Sequence, residues 1–279
     1  MIFLAFFPKH ITKVRNFYEG VNPLHLLLTN DDGIDSPGLR ANYDELIKLP
    51  GVKISIIAPD HNWSVSGHNK TMDRPLRVRE IEWWGNGVSV YSTDGTPADC
   101  VSLASLGFLS ELPDLVISGI NTGPNLGDDI TYSGTVAAAM EAHIAGYPTI
   151  AVSIDSYVDW RFDTASKIVA DLVKGFLKGE PVLKPDTFLN VNIPNLPIEA
   201  IKGMEITRQG RRIYRDELYK RTDPRGGAYY WIGGERPDGH VIAGTDIEAI
   251  SQGKVSITHL MLDLTNHALV NEMKNWKFQ

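Results

Sequence analysis

Two adjacent aspartates at the end of an apolar segment are the residues of this chain best suited to chemistry. Asp31 and Asp32 follow the segment Leu24–Thr29 after a single Asn, and an apolar segment of this length is typical of a buried parallel strand. In open α/β sheets, ligands bind beyond the carboxyl ends of such strands. Two neighbouring carboxylates repel each other and are stable there mainly beside a cation. The alternative is a surface turn, because Asn, Asp and Gly are also the usual turn residues.

Two further polar loops follow predicted strands. One contains Asn62 and Ser64, and the other spans residues 118–129 and contains Asn121 and Asn125. We expect the loops to converge, because the carboxyl ends of parallel strands lie at the same edge of a sheet. Two carboxylates and the neutral oxygens of a Ser and an Asn form a hard ligand set, which suits Mg²⁺ or Mn²⁺ better than Zn²⁺.

A predicted helix start provides a candidate phosphate site. Ser133, Gly134 and Thr135 place hydroxyls and free backbone N–H groups there, and the helix dipole favours a phosphate at that end. The alternative for Ser133 is a plain N-cap, which is the commonest role of Ser at such a position. Asp128 and Asp129, which precede this helix, are interpreted as a solvated acidic loop end, with a second metal pair as the alternative.

The apolar pattern predicts the elements that position these loops. Strand and helix segments alternate up to about residue 193, which indicates a doubly wound, Rossmann-like and mostly parallel α/β sheet. The clearest amphipathic helix runs from Phe162 to Phe176. Further helices are predicted at 37–49, 96–109 and 134–145, and further strands at 52–58, 114–118 and 149–153, with a hairpin of 77–84 and 88–93.

The bulk composition narrows the class of protein. The chain has 279 residues, of which 43% are hydrophobic and 22% charged, as is ordinary for a soluble enzyme. A net charge of −7 argues against a general nucleic-acid surface, and no apolar stretch is long enough to span a membrane. Cys100 is the only cysteine, so no internal disulfide can form and a cytoplasmic location is expected. The absence of P-loop, dinucleotide-binding and nucleophile-elbow motifs argues against those enzyme classes.

Four segments are expected along the chain. Residues 1–22 form an N-terminal extension that does not match a secretory signal and receives no function. Residues 23–206 form the α/β catalytic core, and residues 207–245 form an extended arm for oligomerisation. Residues 246–279 form a C-terminal strand and helix that return to the core.

The arm, residues 207–245, has too little periodic apolar sequence to form a core of its own. Aromatic residues on an arginine-containing arm are enriched where proteins meet other proteins, and such arms can exchange between subunits. The alternative is an arm that folds back over its own active site. The aromatic residues are Tyr214, Tyr219, Tyr229, Tyr230 and Trp231.

The polar loops and several further segments together resemble the SurE family of stationary-phase survival proteins, which are metal-dependent 5′/3′-nucleotidases. The resemblance extends from residue 24 to about residue 276 and is most specific from 118 to 135. The matching segments are 29–33, 58–60 with Asn62 and Ser64, 66–68, 95–100, 118–129, 132–136, 190–194, 223–226 and 230–233.

The resemblance implies hydrolysis of nucleoside 5′- and 3′-monophosphates, with short polyphosphate as a further substrate to be tested. It also implies one divalent cation per subunit, Mg²⁺ or Mn²⁺, and a homodimer or homotetramer. The metal ligands of the family fall on Asp31, Asp32, Ser64 and Asn121, which are the oxygen donors inferred above.

Further roles follow for the remaining polar residues. Asp31 is placed to accept a proton from the attacking water. Asn125, Ser133, Gly134 and Thr135 are expected to hold the phosphate oxygens as charge develops. Base selectivity should be modest, because metal and phosphate contacts are common to all nucleotides, and stacking on aromatic residues of the arm is its expected source.

Overall fold

The computed structural model describes residues 23–277 except Trp83 and Asn86, so the predicted extension at residues 1–22 lies outside the described residues. The first part of the chain alternates strands and helices. Its elements are β1 (Leu24–Thr29), α1 (Pro37–Leu46), β2 (Val52–Pro59), β3 (Val78–Glu80), β4 (Ser89–Thr93), α2 (Pro97–Ser105), β5 (Leu115–Thr122), α3 (Gly134–Ile144), β6 (Thr149–Asp155), α4 (Phe162–Lys178) and β7 (Phe188–Pro194).

The second part of the chain is mostly extended. Its elements are β8 (Met204–Thr207), β9 (Arg212–Ile213), β10 (Asp216–Thr222), β11 (Ala228–Gly234), β12 (Asp238–Gly239), α5 (Asp246–Ser251), β13 (Val255–His259) and α6 (His267–Met273).

The central sheet confirms the prediction of a doubly wound, mostly parallel α/β fold. Its strand order is β3-β4-β2-β1-β5-β6-β7-β13-β8, and the strands from β4 to β7 pair in parallel. The edges are mixed, since β3 is antiparallel to β4 and β13 is antiparallel to β7. From β1 the chain winds outward to β2 and β4, and it then crosses to β5 on the other side of β1. The carboxyl ends of β1 and β5 therefore form the switch point at which such folds bind ligands.

Burial on both faces explains why β1 is apolar along its length. Leu26 and Leu28 belong to the same hydrophobic cluster as residues of α1 and α4. Leu27 points to the other face, where it clusters with residues of α2 and α3. Because successive side chains of a strand alternate between faces, a strand covered by helices on both sides needs apolar residues at nearly every position.

Several boundaries differ from the sequence prediction. The helix predicted at 37–49 ends at Leu46, and the strand predicted at 114–118 continues to Thr122. Its pairing with β6 shifts register between Ser118 and Asn121, an irregularity that an apolar pattern does not reveal. Helix α5, which begins after the N-cap Thr245, was not predicted, because its six residues are too few for a periodic signal.

The arm forms an exposed hairpin. Strands β10 and β11 pair with each other in antiparallel register from Asp216–Gly234 to Thr222–Ala228, and within the described residues they pair with no further strand. At the C-terminus, β13 lies in the central sheet between β7 and β8, whereas α6 contains no buried residue. None of the helices in the described part of the chain is both long enough and apolar enough to cross a membrane.

A buried histidine in β1 should make stability depend on pH. His25 is 3% exposed, and its Nδ1 lies 3.1 Å from the Leu112 carbonyl oxygen while Nε2 lies 2.9 Å from the Ser55 hydroxyl. Nδ1 donates to the carbonyl, and in the neutral ring Nε2 then accepts from the Ser55 hydroxyl. Burial, with a further contribution from Lys53, lowers the pKa of His25.

Acidification should therefore remove stability through His25. The unfolded chain takes up the proton at the ordinary histidine pKa of about 6.5, whereas the folded protein resists protonation until a lower pH. The free energy of unfolding should thus fall as the pH drops below that value. Urea unfolding measures the free energy of unfolding at neutral and at mildly acidic pH. Between these two conditions, that free energy should fall less for His25→Gln than for the native chain. Parallel pH profiles of the two proteins would contradict this account.

Candidate active site

The predicted turn after β1 is present, but it is buried at the switch point. The Asn30 side chain closes it, since Nδ2 donates to the Gly33 carbonyl at 2.9 Å and the Gly33 N–H donates to Oδ1 at 3.2 Å. Gly33 has a φ of 101°, which only glycine adopts readily. Asp31, in the middle of this turn, is 3% exposed, so the surface-turn alternative is wrong.

The start of α3 packs directly against Asp31. The Thr135 hydroxyl donates a hydrogen bond to Asp31 Oδ1. At Gly134, a Cβ atom would lie 2.7 Å from the Asp31 Cβ and 2.8 Å from Oδ2, distances that no real side chain tolerates. A glycine is therefore required for the first and third loops to meet, and the structure brings Asp31, Gly134 and Thr135 together.

Asp32 connects the end of β5 with the second loop. Its Oδ2 accepts from the Thr122 N–H at 3.1 Å, and Oδ1 accepts from the Thr122 hydroxyl at 3.0 Å. Asn62 Nδ2 also donates to Oδ1, at 3.4 Å. Sequence analysis did not single out Thr122, because a Thr within a predicted polar loop carries no signal of a carboxylate that lies 90 residues away.

Ser64 is placed by its neighbours in the second loop. The Trp63 N–H donates to the Asp31 carbonyl oxygen at 2.7 Å, and the Ser64 N–H donates to Asn62 Oδ1 at 2.6 Å. These bonds hold the loop against both aspartates. Within the described residues, no hydrogen bond joins the Ser64 hydroxyl itself to either carboxylate, so its role as a metal ligand stays a prediction.

Asn121 lies at the end of β5 beside Thr122. It is 9% exposed, and its Nδ2 donates to the Gly123 carbonyl oxygen at 2.8 Å. With the amide nitrogen fixed in this way, Oδ1 has no hydrogen-bond donor against it among the residues that the structure describes. An amide oxygen that accepts no hydrogen bond from the protein is suited to ligate a cation.

Asn125 occupies a different environment from the other predicted site residues. Its Nδ2 donates to Ser153 Oγ at 2.7 Å, and its N–H donates to Asn192 Oδ1 at 2.8 Å. Its carbonyl oxygen accepts from Asn190 and Asn192. These bonds fix the third loop to β6 and β7. They show no contact with Asp31 or with α3, and phosphate binding by Asn125 stays a prediction.

Ser133 forms the N-cap of α3. Its hydroxyl oxygen accepts from the Val136 N–H at 3.1 Å, so the capping alternative is confirmed. The Thr135 hydroxyl is used by Asp31, as described above. Phosphate binding at this helix end would therefore depend on backbone N–H groups of the first turn, which have no partners within the helix. The Ser133 hydroxyl could still donate its proton to a phosphate oxygen.

The two carboxylates carry negative charge without a basic partner. Burial raises the pKa of Asp31 to about 6, the Thr135 hydroxyl opposes this shift, and the charge of Asp32 adds to it. Burial also raises the pKa of Asp32. No salt bridge joins either residue to Lys, Arg or His in the described part of the chain. The described residues likewise contain no group of three or more His, Cys, Asp or Glu side chains suited to a metal, so a cation here would depend on the neutral oxygens of Ser64 and Asn121.

The prediction of a solvated acidic end at Asp128 and Asp129 is wrong, because both residues bind the base of the arm. Arg212 Nε donates to Asp129 Oδ2 at 2.6 Å, and the Tyr214 hydroxyl donates to Oδ1 at 2.8 Å. The Arg212 N–H donates to Asp128 Oδ2 at 3.0 Å, and the Arg212 side chain is 7% exposed. The arm is thereby anchored to the loop that carries Asn121 and leads into α3.

Glu141 in α3 binds the C-terminal part of the second loop, at His68 and Lys70. Its carboxylate accepts from Lys70 Nζ at 2.7 Å, from Ser102 Oγ at 2.8 Å and from His68 Nε2 at 3.1 Å. Burial alone would raise its pKa, but these bonds outweigh burial and lower the pKa of Glu141 to about 2. The sequence did not single out this residue, because it lies within a helical pattern.

Glu141→Gln should destabilise the protein by about 1–3 kcal/mol, since Lys70 and His68 lose a buried charged acceptor. Urea unfolding measures this change. Glu45→Gln, which removes an exposed pair with Lys48, is the control and should cost less than about 0.5 kcal/mol. The contribution of Glu141 should be complete above its ordinary pKa of 4.5 and fall away as the pH approaches 2. Equal effects of both substitutions would contradict this role.

Comparisons with known proteins identify relatives of this chain. The family model "Survival protein SurE" matches residues 26–216. The 5′-nucleotidase SurE of Chloroflexus aggregans is 47% identical over 261 residues, which cover 92% of this chain and 100% of the relative. The 5′-nucleotidase SurE of Carboxydothermus hydrogenoformans is 46% identical, covering 91% and 96%.

A solved structure supports the same relationship. The crystal structure of the SurE protein from Aquifex aeolicus superposes with a TM-score of 0.77 at 45% identity, covering 90% of this chain and 98% of that protein. The loops after β1, β2 and β5, which meet at the switch point, lie within residues 26–216, the range that the family model matches. From this agreement in sequence and in fold, we conclude that the chain belongs to the SurE family.

Proposed function

We propose that this protein is a metal-dependent phosphomonoesterase that hydrolyses nucleoside 5′- and 3′-monophosphates to a nucleoside and phosphate. The observation that carries the proposal is the contact between the buried Asp31 and the first turn of α3. It places a carboxylate pair that lacks a basic partner beside a helix end that favours phosphate. The relatives named 5′-nucleotidase support the substrate class.

The donor set at the switch point fits one Mg²⁺ or Mn²⁺ ion per subunit. Asp31, Asp32, Ser64 and Asn121 would hold it, because carboxylate, hydroxyl and amide oxygens are the ligands that these hard cations prefer. A cation held by these residues would supply Lewis-acid chemistry, stabilising charge on the phosphoryl group and favouring deprotonation of the attacking water. Two observations support this assignment: no donor of the described residues bonds to Asn121 Oδ1, and the carboxylates of Asp31 and Asp32 are neighbours.

The protein residues have separate roles in the proposed reaction. Asp31 would accept a proton from the attacking water, because its carboxylate lies against the first turn of α3, where the phosphate is proposed to bind. Gly134 and Thr135 present the N-terminus of α3 to the phosphate, whose charge the helix dipole stabilises. Ser133 and Asn125 are assigned to the phosphate from sequence alone.

A panel of phosphate compounds tests the proposed substrate class. Phosphate release is measured with Mn²⁺ from 5′-AMP, 3′-AMP, 5′-GMP, ribose 5-phosphate and tripolyphosphate. We expect the nucleotides to be hydrolysed with modest selectivity among bases, because the metal and phosphate contacts are shared. A sharp preference for a phosphoester that is not a nucleotide would overturn the substrate class. Binding of AMP without release under any metal would instead indicate a nucleotide-binding protein that does not turn over.

We further propose that the chain assembles into a homodimer or homotetramer through the arm. The β10–β11 hairpin exposes large apolar side chains and pairs with no other strand of the described chain. The buried ion pair between Arg212 and Asp129 fixes the base of the arm to the core. The exposed apolar residues include Leu218, Tyr230, Trp231 and Ile232.

Replacing residues 216–234 by a short linker should convert the oligomer to a monomer, because this deletion removes the exposed apolar surface and leaves the Arg212 anchor. Light scattering at micromolar concentration measures the mass of both chains. The native chain should show a dimer or larger species, and the shortened chain a single subunit. A native monomer, or an unchanged oligomer after the replacement, would show that the arm does not assemble the protein.

A further inference from the structure

A cavity of about 320 Å³ lies next to the proposed metal site. Asp32 and Thr122 line it, and the loop after β2 contributes Asp60 and His61. Trp160, which precedes α4, lines another part of the wall. The volume is within the range of small-molecule sites, roughly 300–1,000 Å³. Of these residues, only Asp32 has a role in the reaction described above.

Trp160 is held in place without a ligand. Its Nε1 donates to the Ser156 carbonyl oxygen at 3.0 Å, and its ring stacks on Phe162 with centroids 5.8 Å apart and planes 25° from parallel. Phe162 in turn touches α1 at Gly38, where a Cβ would lie 3.0 Å from its ring. Trp160 is nevertheless 39% exposed. An aromatic ring that is both fixed and exposed beside a cavity provides a preformed surface for stacking.

The polar lining of the cavity does not suit a second phosphate. It includes the carboxylates of Asp35 and Asp60, and no Lys or Arg occurs among its lining residues in the described chain. Asp60 Oδ1 lies 2.6 Å from His61 Nδ1, which leaves Oδ2 as an acceptor. Carboxylates accept hydrogen bonds from sugar hydroxyls. An acidic residue after the second strand is where doubly wound folds often bind ribose.

We propose that this cavity binds the nucleoside half of the substrate, with the base stacked on Trp160 and the ribose near Asp60. This inference rests on the proposed nucleotidase function and adds the residues that recognise the non-phosphate part of the substrate. It differs from the expectation that aromatic residues of the arm stack on the base. Trp231 of the arm is exposed on a hairpin and lines no part of this cavity.

Steady-state kinetics on two substrates test the assignment. Trp160→Ala should raise the KM for 5′-AMP about tenfold, which is the usual size of a lost base–aromatic stack. It should leave the KM for ribose 5-phosphate, which has no base, unchanged. Trp160→Phe should restore most of the AMP affinity. Trp231→Ala should leave the preference for AMP over ribose 5-phosphate as it is in the native protein.

Titration with adenosine by calorimetry separates this inference from the proposed reaction, since binding of adenosine needs no turnover. Weaker adenosine binding in Trp160→Ala supports the subsite even for a protein that releases no phosphate. Equal weakening of AMP and ribose 5-phosphate would overturn the assignment, because it would indicate a general structural role. Unchanged adenosine binding in Trp160→Ala, or a selective loss of AMP affinity in Trp231→Ala, would overturn it as well.

Discussion

Replacing Asp31 or Asp32 by Asn should lower metal-dependent phosphate release at least about 100-fold, because even residues that only orient metal ligands typically cost 10–100-fold when changed. The fold should survive. Asp31 is buried and Asp32 is half-buried, and neither has a basic partner among the described residues. A neutral amide therefore relieves repulsion, and the metal-free protein should be at least as stable as the native chain. Phosphate release at limiting Mn²⁺, Mn²⁺ binding by calorimetry, and urea unfolding in EDTA measure the three effects.

Asp44→Asn is a suitable control for these substitutions. Asp44 forms an exposed pair with Arg40 on α1, at 3.0 Å, and such surface pairs contribute little to stability. This variant should bind Mn²⁺ and release phosphate as the native protein does. If Asp31→Asn or Asp32→Asn kept near-normal turnover at limiting metal, the assignment of that residue would be wrong.

Gly134→Ala adds a single methyl group and should lower phosphate release and Mn²⁺ affinity about as strongly as the aspartate substitutions do. The added Cβ would lie 2.7 Å from the Asp31 Cβ and 3.0 Å from Ser66 Oγ, so α3 or Asp31 must move. Overpacking of this kind typically costs about 1–3 kcal/mol. A displaced Asp31 no longer matches the other metal ligands, and we expect turnover and Mn²⁺ affinity to fall together, by about 100-fold or more.

A destabilising change elsewhere controls for Gly134→Ala. Ile168→Val removes a methyl group from the buried face of α4, which typically costs about 0.5–1.5 kcal/mol. It should leave Mn²⁺ affinity and turnover unchanged, since α4 does not contact the two aspartates. Normal Mn²⁺ affinity in Gly134→Ala would show that the close approach of α3 to Asp31 is not needed for the site.

The parts of the fold that the sequence predicted are those set by local patterns. The apolar residues of β1 follow from burial on both faces, and the periodicity between Phe162 and Phe176 gave α4, which spans Phe162–Lys178. The meeting of Asp31 with Gly134 and Thr135 followed from a topological rule. In a parallel sheet, the ends of neighbouring strands must lie together.

The contacts that the sequence did not reveal join residues far apart in the chain. Thr122 binds Asp32, and Arg212 of the arm binds Asp129. Thr122 is locally a strand end and Arg212 is part of an irregular region. Their partners come into contact with them only when the elements pack together in the fold. For the same reason Asn125 was grouped with the phosphate ligands, although its bonds in the structure are to Ser153, Asn190 and Asn192.

The most direct test of the central claim is phosphate release from 5′-AMP by protein that has been stripped of metal with EDTA and then supplied with Mn²⁺ or Mg²⁺. Our account predicts no release after stripping and recovery when a divalent cation is restored. The same treatment should restore nothing to a chain carrying both Asp31→Asn and Asp32→Asn. Release that persists in EDTA, or that recovers equally in the doubly substituted chain, would contradict a metal-dependent reaction at these two carboxylates.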